Sequence, residues 1–134
     1  KGILTSLVKL KKIPSKNQSK FYRLLISREK LGSTAIGQGI AIPHARVEGI
    51  RKPCLMVYLS KKGVAFNSLD GELVHIVFFI LSSKLGEGIH LKILATISKL
   101  LRDRYFIDKL KKSLDEKEIL QLIQQQELRI SKWT

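Results

Sequence analysis

The chain has 134 residues, of which 44% are hydrophobic and 27% are charged. This length and composition exclude a disordered or collagen-like chain and suffice for one buried core. The longest aliphatic and phenyl run, residues 76–81, is far shorter than the roughly 20 residues of a membrane span, so no membrane insertion is expected. The single cysteine, Cys54, lies in an apolar stretch that predicts a buried structural thiol, and it fits a reducing, cytoplasmic location.

The net charge of +14 raises nucleic acid as a candidate partner. Eight of the 25 basic residues fall within residues 1–28, where no acidic residue occurs. Phosphate and base recognition favour arginine forks and aromatic stacking, whereas this chain is rich in lysine and only 7% aromatic. We therefore interpret the basic residues as solvated faces, and a basic nucleic-acid-binding domain remains the less favoured alternative.

The first half of the chain predicts two helices and a strand. Apolar spacing indicates a helix at residues 3–11. Ser15 and Asn17 offer capping oxygens for a second helix that runs to about Lys30. Residues 33–43 alternate small and β-branched residues around two glycines, which predicts a strand whose pairing ends at Pro43.

The second half alternates apolar runs with breaks. Two strands are predicted at residues 54–60 and 73–82. Three helices are predicted at residues 89–101, 104–112 and 113–126. A Lys-Lys-Gly turn should follow the first of these strands, Ser113 and Glu116 have capping-box spacing, and the tail beyond Gln126 should fray. This order predicts an α/β (α+β) fold, a single domain in which helices on both faces sandwich a mixed β-sheet.

Three histidines are the candidates for chemistry, and no Cys or carboxylate stands at ligand spacing, so no metal site is expected. His75 lies within an apolar strand and is interpreted as structural. His44 follows Pro43 after a glycine-rich segment, where an oriented neutral imidazole could act as a nucleophile in reversible group transfer. A structural surface histidine is the alternative at His44.

His90 and Arg28 are the candidate supporting residues. His90 stands in the predicted first turn of a helix, where free N–H groups and the positive dipole end favour an anion. If the fold brings it beside His44, the two rings could share one phosphoryl group; otherwise it is a helix-start residue. Arg28 could neutralise phosphate charge or form a surface ion pair with Glu29.

Residues 27–46, SREKLGSTAIGQGIAIPHAR, resemble the active-site signature of the fructose/mannitol-type enzyme IIA domains of the bacterial phosphoenolpyruvate-dependent sugar phosphotransferase system. Among these domains the closest resemblance is to the nitrogen-related regulatory enzyme IIA. The similarity extends to HLKILATISKLLRD at residues 90–103 and SLDEKEILQLI at residues 113–123. The family has a mixed sheet flanked by helices, in agreement with the pattern above.

The resemblance implies that His44 accepts a phosphoryl group from phospho-HPr or a nitrogen-related HPr, with Arg28 and His90 as supporting residues and no cofactor. The other residues that the motif implies as phosphate-binding or supporting are Ser33, Thr34, Gln38, Gly39 and Pro43. The acceptor would be a separate enzyme IIB or a regulatory target protein. A phosphorylation-independent regulatory binding module is the alternative function.

The family normally has a strand and most of a helix ahead of the segment equivalent to residues 3–11. We therefore expect residues 1–134 to form an enzyme IIA-like domain that lacks its N-terminal strand and part of its first helix.

Overall fold

The structure is a computed structural model that describes residues 4, 9, 13–66, 68, 70–85 and 87–131. The chain divides into two compact units, Lys1–His90 and Leu91–Thr134. The helix predicted at residues 3–11 lies outside the described residues, apart from Leu4 and Lys9. None of the described helices is long and apolar enough to cross a bilayer.

The described part of the first unit contains one complete helix and a five-stranded sheet. A 3-10 turn at Ser15–Asn17 leads into α1, Gln18–Leu31. Asn17 holds the N-cap position of α1 but makes no side-chain capping bond, so the predicted capping by Asn17 is wrong. The strands are β1 (Ala35–Gly37), β2 (Ile40–Ala41), β3 (His44–Val47), β4 (Cys54–Val64) and β5 (Val74–Ser83).

The central strand of the sheet is β5. It pairs in parallel with β2 and β3 on one side and antiparallel with β4 on the other. Eight of its ten residues are buried, which explains its nearly continuous apolar composition. The prediction of an interior strand here, and with it an α/β fold with a mixed sheet, is confirmed.

Residues 33–43 do not form one strand as predicted. The backbone of Gly37, Gln38 and Gly39 has φ values of 88°, 58° and 77°, and this left-handed turn reverses the chain between β1 and β2. Pairing with β5 also continues past Pro43. Pro43 has no N–H to donate, but its carbonyl oxygen accepts from Ile80 N at 3.0 Å.

The strands β2 and β3 follow one another along the same edge of β5. Ile40 pairs with Ile76 and His44 pairs with Ile80, so the same register holds on both sides of the interruption. His44 is consequently the first residue of a strand and does not follow the end of one.

The strand β4 is longer than predicted. The Lys-Lys-Gly segment continues the strand, with a shift in register between Leu59 and Val64. Within this irregular stretch Gly63 N donates to Ser60 Oγ at 3.1 Å and Gly63 has a φ of 85°. The segment therefore forms a bulge, which absorbs the extra residues without ending the strand.

One face of the sheet packs against α1. Phe21 and Leu25 of α1 join strand residues such as Val47 and Leu81 in a single buried cluster. Cys54 belongs to the same cluster, which confirms its predicted burial. Because side chains alternate along a strand, burial of these residues fixes which neighbours face the opposite side of the sheet.

The helix α2, Glu87–Leu100, begins in the first unit, and α3 (Arg104–Lys111) and α4 (Glu116–Ser131) lie in the second.

The start of α4 is capped by Asp115 and Glu118. Glu118 N donates to Asp115 Oδ1 at 2.8 Å, and Leu114 N donates to Glu118 Oε2 at 3.1 Å. The predicted capping box at Ser113 is wrong, because the buried Ser113 hydroxyl donates to Lys109 O.

The predicted fraying beyond Gln126 is also wrong. The helix α4 continues to Ser131, and two of its side chains reach Asp103. Gln126 Nε2 donates to Asp103 Oδ2 at 3.3 Å, and Arg129 Nη1 lies 3.6 Å from the same oxygen. These contacts tie the last turns of α4 to the residue that caps α3.

Candidate functional site

The ring of His44 is oriented by the interruption between β2 and β3. Ile42 turns its backbone away from β5, and its N–H donates to Thr34 O at 3.1 Å. Its carbonyl oxygen lies 2.7 Å from His44 Nδ1. A carbonyl can only accept, so Nδ1 carries the proton and Nε2 of the neutral ring keeps its lone pair. The half-buried His44 therefore offers Nε2 as a nucleophile.

The register of β3 and β5 determines which side chains share a face with His44. His44 pairs with Ile80, and Arg46 pairs with Ser82. Paired residues on adjacent strands project to the same face, opposite to the face that holds Val47. His44, Arg46 and Ser82 therefore lie on one face of the sheet.

The second histidine joins this group from the first turn of α2. The ring centroids of His44 and His90 are 5.6 Å apart and the rings are tilted by 46°. His90 is 6% exposed, and its Nδ1 lies within hydrogen-bond distance of Ser82 Oγ. The predicted juxtaposition of His44 and His90 is thus present in the structure, at the end of a helix where unpaired N–H groups carry positive charge.

His90 is held in its neutral form. Burial lowers the pKa of His90 below its usual 6.5, and a proton on His44 or the positive charge of Arg46 lowers it further. A neutral imidazole retains one N–H, so His90 can donate one hydrogen bond without carrying charge.

We expect this lowered pKa to make folding stability depend on pH. The unfolded chain takes up a proton on His90 near pH 6.5, whereas the folded chain resists protonation until a lower pH. The stability that neutral His90 contributes is therefore complete above pH 6.5 and is lost as the pH falls toward the lowered pKa. Urea unfolding should be measured for the wild type and His90→Gln between pH 6.5 and about 5. The free energy of unfolding should decrease less in the variant than in the wild type over this range. Equal losses in the two proteins would contradict the assignment.

The Arg28 side chain has a described contact at the end of its own helix. Its Nη1 donates to Gly32 O at 2.8 Å, at the C-terminus of α1. The alternative ion pair with Glu29 is not among the described contacts, and the Glu29 carboxylate instead accepts from Thr34 N at 3.2 Å. The described contacts do not join Arg28 to His44, so its role at the site stays a prediction.

The hydroxyls of Ser33 and Thr34 stabilise the segment that leads into β1. Ser33 Oγ donates to Phe66 O and accepts from Ala35 N. Thr34 is buried, and its Oγ1 donates to the Glu29 carboxylate. Both hydroxyls have structural partners here, and their phosphate-binding roles stay predictions.

The other three motif residues shape the backbone near His44. Gln38 N donates to Asp70 Oδ2 at 3.2 Å in the turn between β1 and β2. Gly39 O accepts from His75 N and Ile76 N, which anchors the start of β2 to β5. Pro43 is buried and precedes His44 directly. These contacts position the strand that carries His44, and any direct contact of the three residues with phosphate stays a prediction.

Two residues of the site were not singled out from the sequence. Arg46 stands two positions beyond His44, and this strand spacing was the available signal that both side chains share a face. Ser82 gave no comparable signal, because its proximity to His90 and Arg46 depends on the pairing of β3 with β5.

The remaining histidine, interpreted as structural, has a backbone partner. His75 is half-buried, and its Nδ1 lies 2.9 Å from Ser60 O. Among the described residues, no three His, Cys, Asp or Glu side chains are close enough together to hold a metal ion.

The chain is similar in sequence to known proteins. Residues 1–126 match the family model described as "Phosphoenolpyruvate-dependent sugar phosphotransferase system, EIIA 2". The chain is 35% identical over 115 residues to the nitrogen regulatory protein of Bradyrhizobium diazoefficiens. The aligned segment covers 86% of this chain and 75% of that protein.

Solved structures share the fold. The nitrogen regulatory protein IIA-Ntr from Neisseria meningitidis has a TM-score of 0.74 at 28% identity, over 79% of this chain and 73% of that one. Mannitol enzyme IIA from Escherichia coli, in complex with phosphorylated mannitol enzyme IIB, has a TM-score of 0.71 at 23% identity, over 90% and 81% of the two chains. At that identity the second likeness shows the fold alone.

Proposed function

The chain belongs to the EIIA 2 family of the phosphoenolpyruvate-dependent sugar phosphotransferase system, and from that premise we propose that His44 Nε2 is the atom that carries the phosphoryl group. Members of this family are phosphotransferase components, so the protein is a phosphocarrier. The observation that supports His44 is its Nδ1 hydrogen bond to Ile42 O, which leaves Nε2 as the nucleophile beside His90.

The transfer needs no change in the protonation of His44. The Nε2 lone pair attacks phosphorus in line, an N–P bond forms on His44, and the N–P bond of the donor phosphohistidine breaks. The donor ring keeps the electron pair of its broken bond, and His44 Nδ1 keeps its proton on Ile42 O throughout. His90 donates a hydrogen bond to a phosphoryl oxygen, and Arg46 supplies positive charge on the same face. Arg28 is the further cation that the family motif proposes for this site.

The donor in this proposal is an HPr-type phosphocarrier. The acceptor is a separate enzyme IIB or a regulatory target protein. The first is supported by the Escherichia coli mannitol enzyme IIA complex with phosphorylated enzyme IIB, and the second by the nitrogen regulatory relatives. The protein would act in the cytoplasm, because the donor is charged from phosphoenolpyruvate, a metabolite of that compartment.

The proposal is tested by the intact mass of the wild-type chain after incubation with phosphoenolpyruvate, enzyme I and HPr. We expect one added phosphoryl group that is labile in acid, as a phosphoramidate is, and that disappears when enzyme I is omitted. A folded wild-type chain that stays unmodified with both HPr and a nitrogen-related HPr would contradict the proposal. That result would favour the phosphorylation-independent binding module.

A further inference from the structure

We propose that Ser82 is a positioning residue for phosphoryl transfer: its hydroxyl donates to His90 Nδ1 and thereby places the single proton of neutral His90 on Nε2. This inference rests on the proposed function of His44, and it concerns a residue that the family motif does not include. It assigns Ser82 a role in setting the tautomer and orientation of the ring beside the nucleophile.

The direction of the hydrogen bond follows from the burial of Ser82. Its side chain is 1% exposed, and His90 Nδ1 is the partner of its Oγ among the described residues. A buried hydroxyl proton without an acceptor costs free energy, so the proton points at Nδ1. Nδ1 then accepts with its lone pair, and the ring proton resides on Nε2.

This tautomer is the useful one for a phosphoryl group. Neutral His90 has one N–H, and if that N–H pointed at Ser82 the ring would present only a lone pair to the negatively charged phosphoryl oxygens. His44 has the opposite tautomer, with Nδ1–H on Ile42 O and a lone pair on Nε2. Two complementary rings thus provide one nucleophile and one donor, with centroids 5.6 Å apart.

Ser82 can set the tautomer of His90 because the surroundings of this ring keep it neutral. Burial is the largest cause of the lowered pKa of His90, and the charge of Arg46 and any proton on His44 lower it further, which keeps the His90 ring neutral. In a doubly protonated ring both nitrogens would donate and the orientation of the Ser82 hydroxyl would not matter. Because Ser82 pairs with Arg46 across β3 and β5, the same register places the cation and the hydroxyl together.

The test compares Ser82→Ala with Ser82→Thr, which keeps the hydroxyl and suits a strand. The matched control is Ser113→Ala, because Ser113 is equally buried but its hydroxyl donates to a backbone carbonyl in the second unit. Long-range ¹⁵N–¹H NMR of the histidine rings at neutral pH reports the tautomer of His90 in the unphosphorylated chain. Rapid-quench phosphorylation by phospho-HPr reports the rate.

We expect His90 to be the Nε2–H tautomer in the wild type, Ser82→Thr and Ser113→Ala, and a mixture of tautomers in Ser82→Ala. The phosphorylation rate should fall about threefold to tenfold in Ser82→Ala alone, the effect of one hydrogen bond. An unchanged tautomer and rate in Ser82→Ala, or an Nδ1–H tautomer in the wild type, would overturn the proposal. A wild type that is not phosphorylated contradicts the function of His44 instead, and the NMR result still decides the role of Ser82.

Discussion

Replacing His44 with alanine should abolish phosphorylation of the protein. The variant removes the Nε2 lone pair that attacks phosphorus, and the one lone pair of the neighbouring His90 ring, on Nδ1, lies against the Ser82 hydroxyl. Removal of a nucleophile lowers kcat about 10⁶-fold in a well-studied hydrolase, so no phosphorylated chain is expected on the timescale of the assay. The measurement is intact mass after exposure to phospho-HPr.

The matched control for this loss is His75→Ala. Both rings are half-buried and both bond a backbone carbonyl through Nδ1, at 2.7 Å for His44 and 2.9 Å for His75. They differ in that the His44 ring lies beside His90. His75→Ala should therefore be phosphorylated like the wild type. Phosphorylation that survives His44→Ala, or that is lost in His75→Ala while the fold is intact, would contradict the assignment of His44.

Much of the architecture follows from the sequence because its signals are local. The apolar run of β5 and the helical spacing of α1 each lie within one segment, and both elements form as predicted. The errors occur where neighbouring signals compete. Ser113 and Asp115 both offer a capping oxygen, and the buried environment of Ser113 decides in favour of Asp115.

The candidate site is predictable only in part, because its geometry depends on contacts between distant residues. His44 and His90 can be identified from the motif and from the start of a helix. The tautomer of His44 depends on Ile42 O, which is available because Ile42 directs its backbone away from β5. The association of Arg46 with Ser82 depends on the parallel register of two strands, and no local pattern contains that register.

His90→Ala should lower the rate of phosphoryl acceptance by about 10²-fold to 10³-fold, the usual cost of removing one donor to developing charge. His90→Gln should recover part of this loss, because a glutamine amide can place an N–H near the position of His90 Nε2. The measurement is the initial rate with phospho-HPr in rapid-quench experiments. Urea unfolding of both variants provides the control that the fold is retained, since His90 is buried.

The comparison of the two variants distinguishes a neutral donor from a charged one. If His90 acted as an imidazolium, glutamine could not replace it, and the wild-type rate would fall as the pH rises above the lowered pKa of His90. A neutral donor predicts a wild-type rate that does not fall between about pH 6.5 and 8, where His90 is neutral. His90→Gln would then be faster than His90→Ala across this range. Equal rates for the two variants, with a wild-type rate that decreases toward high pH, would show that the positive charge of His90 stabilises the transferred group.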